Sequence, residues 1–376
     1  MTDPCDMPAT ILETVHRQLG IDHPWSVHHD DAFTWWPGGG VRQRVCAEGP
    51  IAVDGVDTWW LAIETPVWRA PDDAALLQLA GAIERLRVRA HGAAVVVDQE
   101  ARGVSLAMRT YLRPETVPGR CYALAGLGPV QARQALAAWS HAESTLGPDA
   151  SAWRDALPHP VGGDRRVCDE ILDLPEALLH RVSDQLGPAG LLDAWRQTAD
   201  ALRHCGLDAP VRQDDTLLTY VTRCGDHDAR ILLGLMHDDL TGPAVAVSTL
   251  LEVPADEASA RATCDALQRA ALTPPSLVWT LGSWVLRPSV AGGTGLTAMH
   301  TAFLPVGLFP FGYGVPLAHA VAQQLRVWGE VLEQRSRASA RDLDRHGQLD
   351  AAPRSVARQR RTAERERQAE TRAVTE

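Results

Sequence analysis

The chain has 376 residues, 45% hydrophobic and 22% charged, with a formal net charge of −11. That length predicts two or three domains, each able to bury a core of its own. No apolar run approaches the ~20 residues a helix needs to cross a bilayer, which excludes a helical membrane protein. Met1 to Pro8 carries Asp3 and Asp6 where a secretory leader has basic residues, so the expected location is the cytoplasm. Every basic residue other than histidine is arginine, and eleven arginines face seven carboxylates between Arg335 and Glu376. The body is therefore more acidic than the whole. An acidic body does not suit a nucleic-acid backbone; it suits solubility or a basic or amphipathic partner. The seven cysteines are scattered and form no C-x-x-C pair. This argues against a disulfide framework and against zinc sites of common spacing.

In chain order, a helical apolar pattern (Ile11, Leu12, Val15, Leu19) stops at Gly20-Ile21-Asp22-His23-Pro24. Gly just past the last periodic residue, with Pro soon after, is a helix-stop signal. Strands are predicted over Ser26–Trp36, Val41–Glu48 and Thr58–Trp68 from alternation and β-branched content. Pro71-Asp72-Asp73 opens a second helix through Leu76, Leu79, Ile83 and Leu86. Strands near 93–98 and 104–112 follow, and a closing helix carries Trp139.

The same signals then recur in the same order. Leu191, Leu192, Trp195, Ala199 and Leu202 lead to Gly206-Leu207-Asp208-Ala209-Pro210. Strands are predicted over Thr216–Arg223, Ile231–His237 and Ala244–Val253. Pro254-Ala255-Asp256-Glu257 opens a helix, strands lie near 276–286 and 296–304, and Trp328 sits in the last helix. Ordered matches at nearly constant spacing point to a unit of roughly 140 residues written twice. The expected fold class is α+β: two similar units, each an antiparallel sheet packed by helices in the order α-β-β-β-α-β-β-α. The divisions are residues 1–147 for the first unit, 148–188 for a linker with a short helix, 189–334 for the second unit and 335–376 for a charged tail. That tail has too few apolar residues to fold alone.

Trp35-Trp36 and Trp59-Trp60 fall inside predicted strands, where neighbours point to opposite faces. Each pair sends one indole to the helix-covered face and one to the other face. A large aromatic there needs a cover: the other repeat, a second subunit or a client protein. Leu308, Phe309, Phe311 and Tyr313, set among Gly and Pro, form a second apolar contact candidate. The element order across both repeats resembles the type III secretion chaperone-like superfamily, including YbjN-like bacterial proteins. The likeness is one of element order, not of a signature motif, so no functional residue is carried over. The resemblance implies proteins that bind protein segments or pair with one another, and a tandem form that acts as a built-in pseudo-dimer.

Chemical motifs are sparse. His28-His29-Asp30-Asp31 has ligand-type residues, as does Cys224 with His227, Asp228 and His237; the first reads as a polar turn before a strand. Gly292-Gly293-Thr294-Gly295 lacks the spacing and the Lys of a phosphate loop and reads as a hairpin connection. No nucleophile elbow or zincin motif is present in the sequence. The expectation is a cytoplasmic, non-enzymatic adaptor for a protein partner or for self-association, with no catalytic set, cofactor or metal. The alternatives are a small-molecule enzyme with its pocket between the repeats, and a nucleic-acid accessory protein acting through the arginine-rich tail.

Overall fold

The structure, a computed structural model, describes residues 7–337 except 22–24, 54, 91, 157–164, 208–209, 214–216, 239–240, 254–255, 273–281, 289–294, 308–316 and 319. For residues 165–178, 180, 213 and 303 it describes the backbone alone.

The first half opens with α1 (Met7–Leu19), whose Ile11, Leu12, Val15 and Leu19 form the expected buried stripe. A six-stranded sheet follows: β1 (Ser26–His28), β2 (Ala32–Gly38), β3 (Val41–Val53), β4 (Val56–Arg69), β5 (Ala94–Asp98) and β6 (Gly103–Leu112). Its order is β1-β2-β3-β4-β6-β5, and every neighbouring pair is antiparallel. Two helices, α2 (Asp73–Gln78) and α3 (Ala80–Arg89), lie between β4 and β5, and α4 (Val117–Leu146) closes the half.

The second half repeats this plan. It runs from α5 (Arg165–His204) through β7 (Arg212–Gln213), β8 (Leu217–Cys224), β9 (His227–Asp238) and β10 (Gly242–Val253). Then come α6 (Glu257–Leu272), β11 (Trp284–Pro288), β12 (Leu296–Pro305) and a last helix, α7 (residues 320–337). Its sheet order is β7-β8-β9-β10-β12-β11, the order of the first sheet strand for strand. The fold is α+β, as the patterning predicts.

Local chemistry repeats too. Gly20 (φ 64) and Gly206 (φ 91) end the leading helices, and their N–H groups donate to Arg17 and Arg203 carbonyls at 3.2 and 3.1 Å. Asp72 and Asp256 cap the helices after β4 and β10. Each takes the N–H three residues on, Ala75 or Ser259, at 2.8 Å. That bond holds the Asp256 carboxyl below its usual range.

Three details depart from the expectation. Each sheet carries one more short edge strand, β1 or β7. The second helix of the first half is broken at Leu79, which ends α2 and begins α3. The linker helix and the leading helix of the second half form one run, bent at Gly187 (φ 59, ψ −166), so Gly187-Pro188 is a kink and not a gap.

The cores are not separate. One cluster of buried side chains runs from Ile11, Phe33 and Leu124 of the first half to Trp195, Ile231 and Trp328 of the second. The element that joins them is α5, which lies against α4 and β2 as well as against β9 and β10. A second cluster fills the first half alone, around Trp68, Leu79, Leu106 and Trp139.

Where α4 crosses the first sheet, the contact is polar. Gln43 Nε2 donates to Thr65 Oγ1 at 2.7 Å and to the Gly128 carbonyl at 2.8 Å, and Thr65 Oγ1 donates to Gln131 Oε1 at 3.0 Å. All three side chains are buried. Buried amides of this kind are costly when orphaned. Gln43→Leu is expected to lower stability by about 1–3 kcal/mol. Urea denaturation checks this; an unchanged midpoint would show that the network does not pin the helix to the sheet.

Candidate functional site

Alternation places the paired tryptophans as expected, but none of the four is open to a partner. Trp35 and Trp59 sit in the shared core with Phe33, Val45 and Leu61. Trp60 is directed to the opposite face, opposite Tyr111 across the β4–β6 pair. Its side chain is still only 1% exposed, and Trp36 is buried as well. A cation of the same half lies over the Trp60 ring. The Arg109 guanidinium lies 5.8 Å from the Trp60 ring centroid. Its Nη1 donates to the Leu272 carbonyl at the end of α6 at 2.5 Å, and its Nη2 donates to Glu48 at 3.3 Å. All four indoles are thus buried within the folded chain. Sequence periodicity fixes which face a tryptophan takes, not what lies over it. Leu308, Phe309, Phe311 and Tyr313 lie outside the described residues, as do Gly292–Thr294 and the tail from residue 338.

The halves meet reciprocally. Helix α3 contacts β11, and its counterpart α6 contacts β5, the counterpart of β11. Each half offers the other the same two elements, as an isologous two-fold interface does. Charge ties the helices: Arg87 bonds Glu84 and Asp265 at 3.0 and 2.9 Å, and Arg261 bonds Glu84 at 3.0 Å. The Val95 N–H, on edge strand β5, donates to Ser283 Oγ at 2.7 Å. An edge donor that could recruit a foreign strand is thus closed by the second half.

Exposed apolar residues lie elsewhere, and one group of them sits where β3 and β4 run on beyond the sheet. The last β2 partner on β3 is Cys46, and β6 accompanies β4 only from Trp59 onward. Residues 51–53 and 56–58 pair only with each other: Ile51 with Thr58, Ala52 with Asp57, Val53 with Val56. Ile51, Val53 and Val56 share one face of this two-stranded ribbon. Ile51 is 37% and Val56 41% exposed. The ribbon joins the sheet at a register shift between Glu48 and Ile51, which contains a cis Gly49-Pro50 bond. Sequence reading misses the ribbon because Gly49-Pro50 reads as a strand end. The signal that could have found it is Asp54-Gly55 between alternating apolar residues, a two-residue hairpin signature.

The candidate ligand sets do not assemble. Cys224 is buried and donates through Sγ to the Leu325 carbonyl at 3.2 Å. Burial pushes its thiol up to about 12, so it is a packed thiol and not a ligand thiolate. His28 turns back to Ser26 Oγ at 3.1 Å, which also contacts His16 Nε2 at 2.9 Å, while His29, Asp30 and Asp31 point to solvent. Among the described residues no three His, Cys, Asp or Glu side chains converge as metal ligands. No described helix is long and apolar enough to cross a membrane.

The halves also enclose a cleft between α3, α4 and the end of β9. It is the feature that the small-molecule alternative calls for.

The class these observations define is a tandem α+β protein whose two halves pair through one core. Comparison with protein families, with curated proteins and with solved structures finds no match.

Proposed function

We propose that this protein is a cytoplasmic, non-catalytic, chaperone-like adaptor that holds a protein segment along the β3–β4 ribbon. The observation that carries this reading is the ribbon itself. It joins an apolar face to two strand edges with open backbone groups, the combination that captures an extended segment by strand addition. A two-stranded ribbon is marginal on its own, and a third strand would complete it. The acidic body favours segments with basic residues beside their apolar ones. The intramolecular pairing of the halves supports the same reading, since it leaves the ribbon free in a built-in pseudo-dimer. The resemblance in element order to type III secretion chaperone-like proteins agrees with it.

The test is the double variant Ile51→Asp/Val56→Asp. Both residues are exposed, so the melting temperature is expected to stay within a few degrees of the native chain's. A protein that co-purifies in stoichiometric amount with the native chain is expected to be lost. Retention of that protein at the native level would overturn the assignment to the ribbon. Absence of any stable partner, together with turnover of a small molecule, would overturn the adaptor reading.

A further inference from the structure

The cleft between the halves has a volume of about 290 Å³. Two arginines of α3, Arg85 and Arg89, stand on its rim one helical turn apart. Both are exposed, and no ion pair forms to either among the described residues. From α4 come Gln134 and His141, two turns apart along one face. From the second half come His237 and Asp238, at the end of β9. The Asp238 carboxylate, whose Oδ2 accepts from Thr241 N and Oγ1 at 2.9 and 3.1 Å, offsets one of the two guanidiniums and leaves the other. The cleft therefore has a cationic mouth.

Its depth is different. Gln134 is only 5% exposed. Its Nε2 donates to the Arg89 carbonyl at 3.4 Å, while its buried Oε1 has no partner among the described residues. A buried amide oxygen without a donor is costly, and a ligand N–H or O–H would satisfy it. The remaining wall is small and apolar, with the buried Leu86 and Ala138.

We propose that this cleft binds a small apolar carboxylate that also carries a hydrogen-bond donor. The carboxylate lies between Arg85 and Arg89, the donor meets Gln134 Oε1, and the apolar body covers Leu86 and Ala138. A guanidinium matches a carboxylate through paired N–H donors, so two of them define an anion subsite with geometry as well as charge. The same chemistry is offered by a free acid and by a peptide's C-terminal residue. Because residues of both halves line it, the site exists only in the tandem. His141 belongs to the same field. Burial, and after it Arg85 and Arg89, lower its pKa below the usual histidine value. A bound carboxylate offsets those arginines, so it raises the His141 pKa. By linkage, binding then strengthens as pH falls through that titration. The charged groups facing His141 are Arg85 and Arg89 from α3 and Asp238 from β9, with His237 beside it.

Calorimetric titration of the full chain with N-acetyl-leucine tests this. That probe has the carboxylate, the N–H and the apolar body, and N-acetyl-leucinamide is its neutral control. Binding at one site is expected for the acid and not for the amide. Arg85→Ala/Arg89→Ala is expected to weaken it at least about tenfold, since charged hydrogen bonds are lost. Both side chains are exposed, so the variant's unchanged melting curve separates lost binding from lost folding. Gln134→Leu is expected to weaken binding several-fold while the apolar wall is kept. A pentapeptide ending in leucine distinguishes the sources: equal or tighter binding assigns the site to a peptide terminus, and exclusion assigns it to a free acid. No binding of either acid at millimolar concentration, or equal binding by the arginine variant, would overturn the proposal. So would a His141 pKa that does not rise on saturation.

Discussion

Trp328→Ala is expected to lower stability by about 3–5 kcal/mol, the cost of emptying a fully buried aromatic site. Trp328 is 0% exposed and stands on α7 in the cluster that both halves share. Its ring meets Trp284 of β11 edge-on at 4.5 Å and lies 4.9 Å from His300 of β12. Edge-to-face pairs of this kind add about 0.5–1.5 kcal/mol beyond burial. The substitution removes the volume, the ring pair and the cover of His300 together. Trp328→Phe keeps most of the volume and is expected to cost clearly less. Equilibrium urea denaturation measures both. A loss under about 1 kcal/mol for Trp328→Ala would show that the site collapses around the gap and is not held by the surrounding sheet and helices.

The second large effect is expected at Gly282, just before β11. Its φ is 81°, a conformation that L side chains adopt only with strain. A Cβ there would lie 1.9 Å from the Thr301 carbonyl oxygen and 2.8 Å from the Thr301 carbonyl carbon, both backbone atoms of β12. Neither can step aside without moving the strand. The residues that follow do two jobs. Ser283 caps the β5 edge through Val95, and the Trp284 N–H donates to Gln268 Oε1 of α6 at 3.1 Å. Gly282→Ala is therefore expected to cost on the order of 3 kcal/mol, from left-handed strain and overpacking together. It is also expected to loosen the contact between halves. Hydrogen exchange at Val95 reads the second effect: faster exchange in the variant is expected, and native protection there would show that the cap does not depend on this turn.

Much of the fold is legible in the sequence because the local rules and the tertiary fold agree. The helix stop at Gly20 and Gly206, the caps at Asp72 and Asp256 and the alternation of β4 and β10 are each local signals. Their repetition in one order is what identifies the common plan, and the identical sheet orders support reading the chain as one unit written twice. What is not legible is what lies across space. Trp60 reads as an aromatic that needs a cover, but the sequence does not say that Arg109, itself bonded to the end of α6, lies over it. Gly49-Pro50 reads as a stop, yet β3 continues past it, because a register shift lets the strand resume with its apolar face kept. Gly187-Pro188 reads as a gap between helices, but the linker helix is carried into α5 through a kink. The cleft is invisible for the same reason. Its arginines, its glutamine and His237 lie on three elements far apart in sequence, and none belongs to a motif.

The account rests on the two halves forming one folded body about a shared core. Hydrogen exchange of the full native chain, followed by mass spectrometry across a urea series, tests this most directly. The strands that enter the shared cluster, β3 and β4 in the first half and β9 and β10 in the second, are expected to lose protection at the same urea concentration and with the same dependence on urea, as one cooperative unit does. Loss of β9 and β10 at a concentration where β3 and β4 remain fully protected would contradict the account.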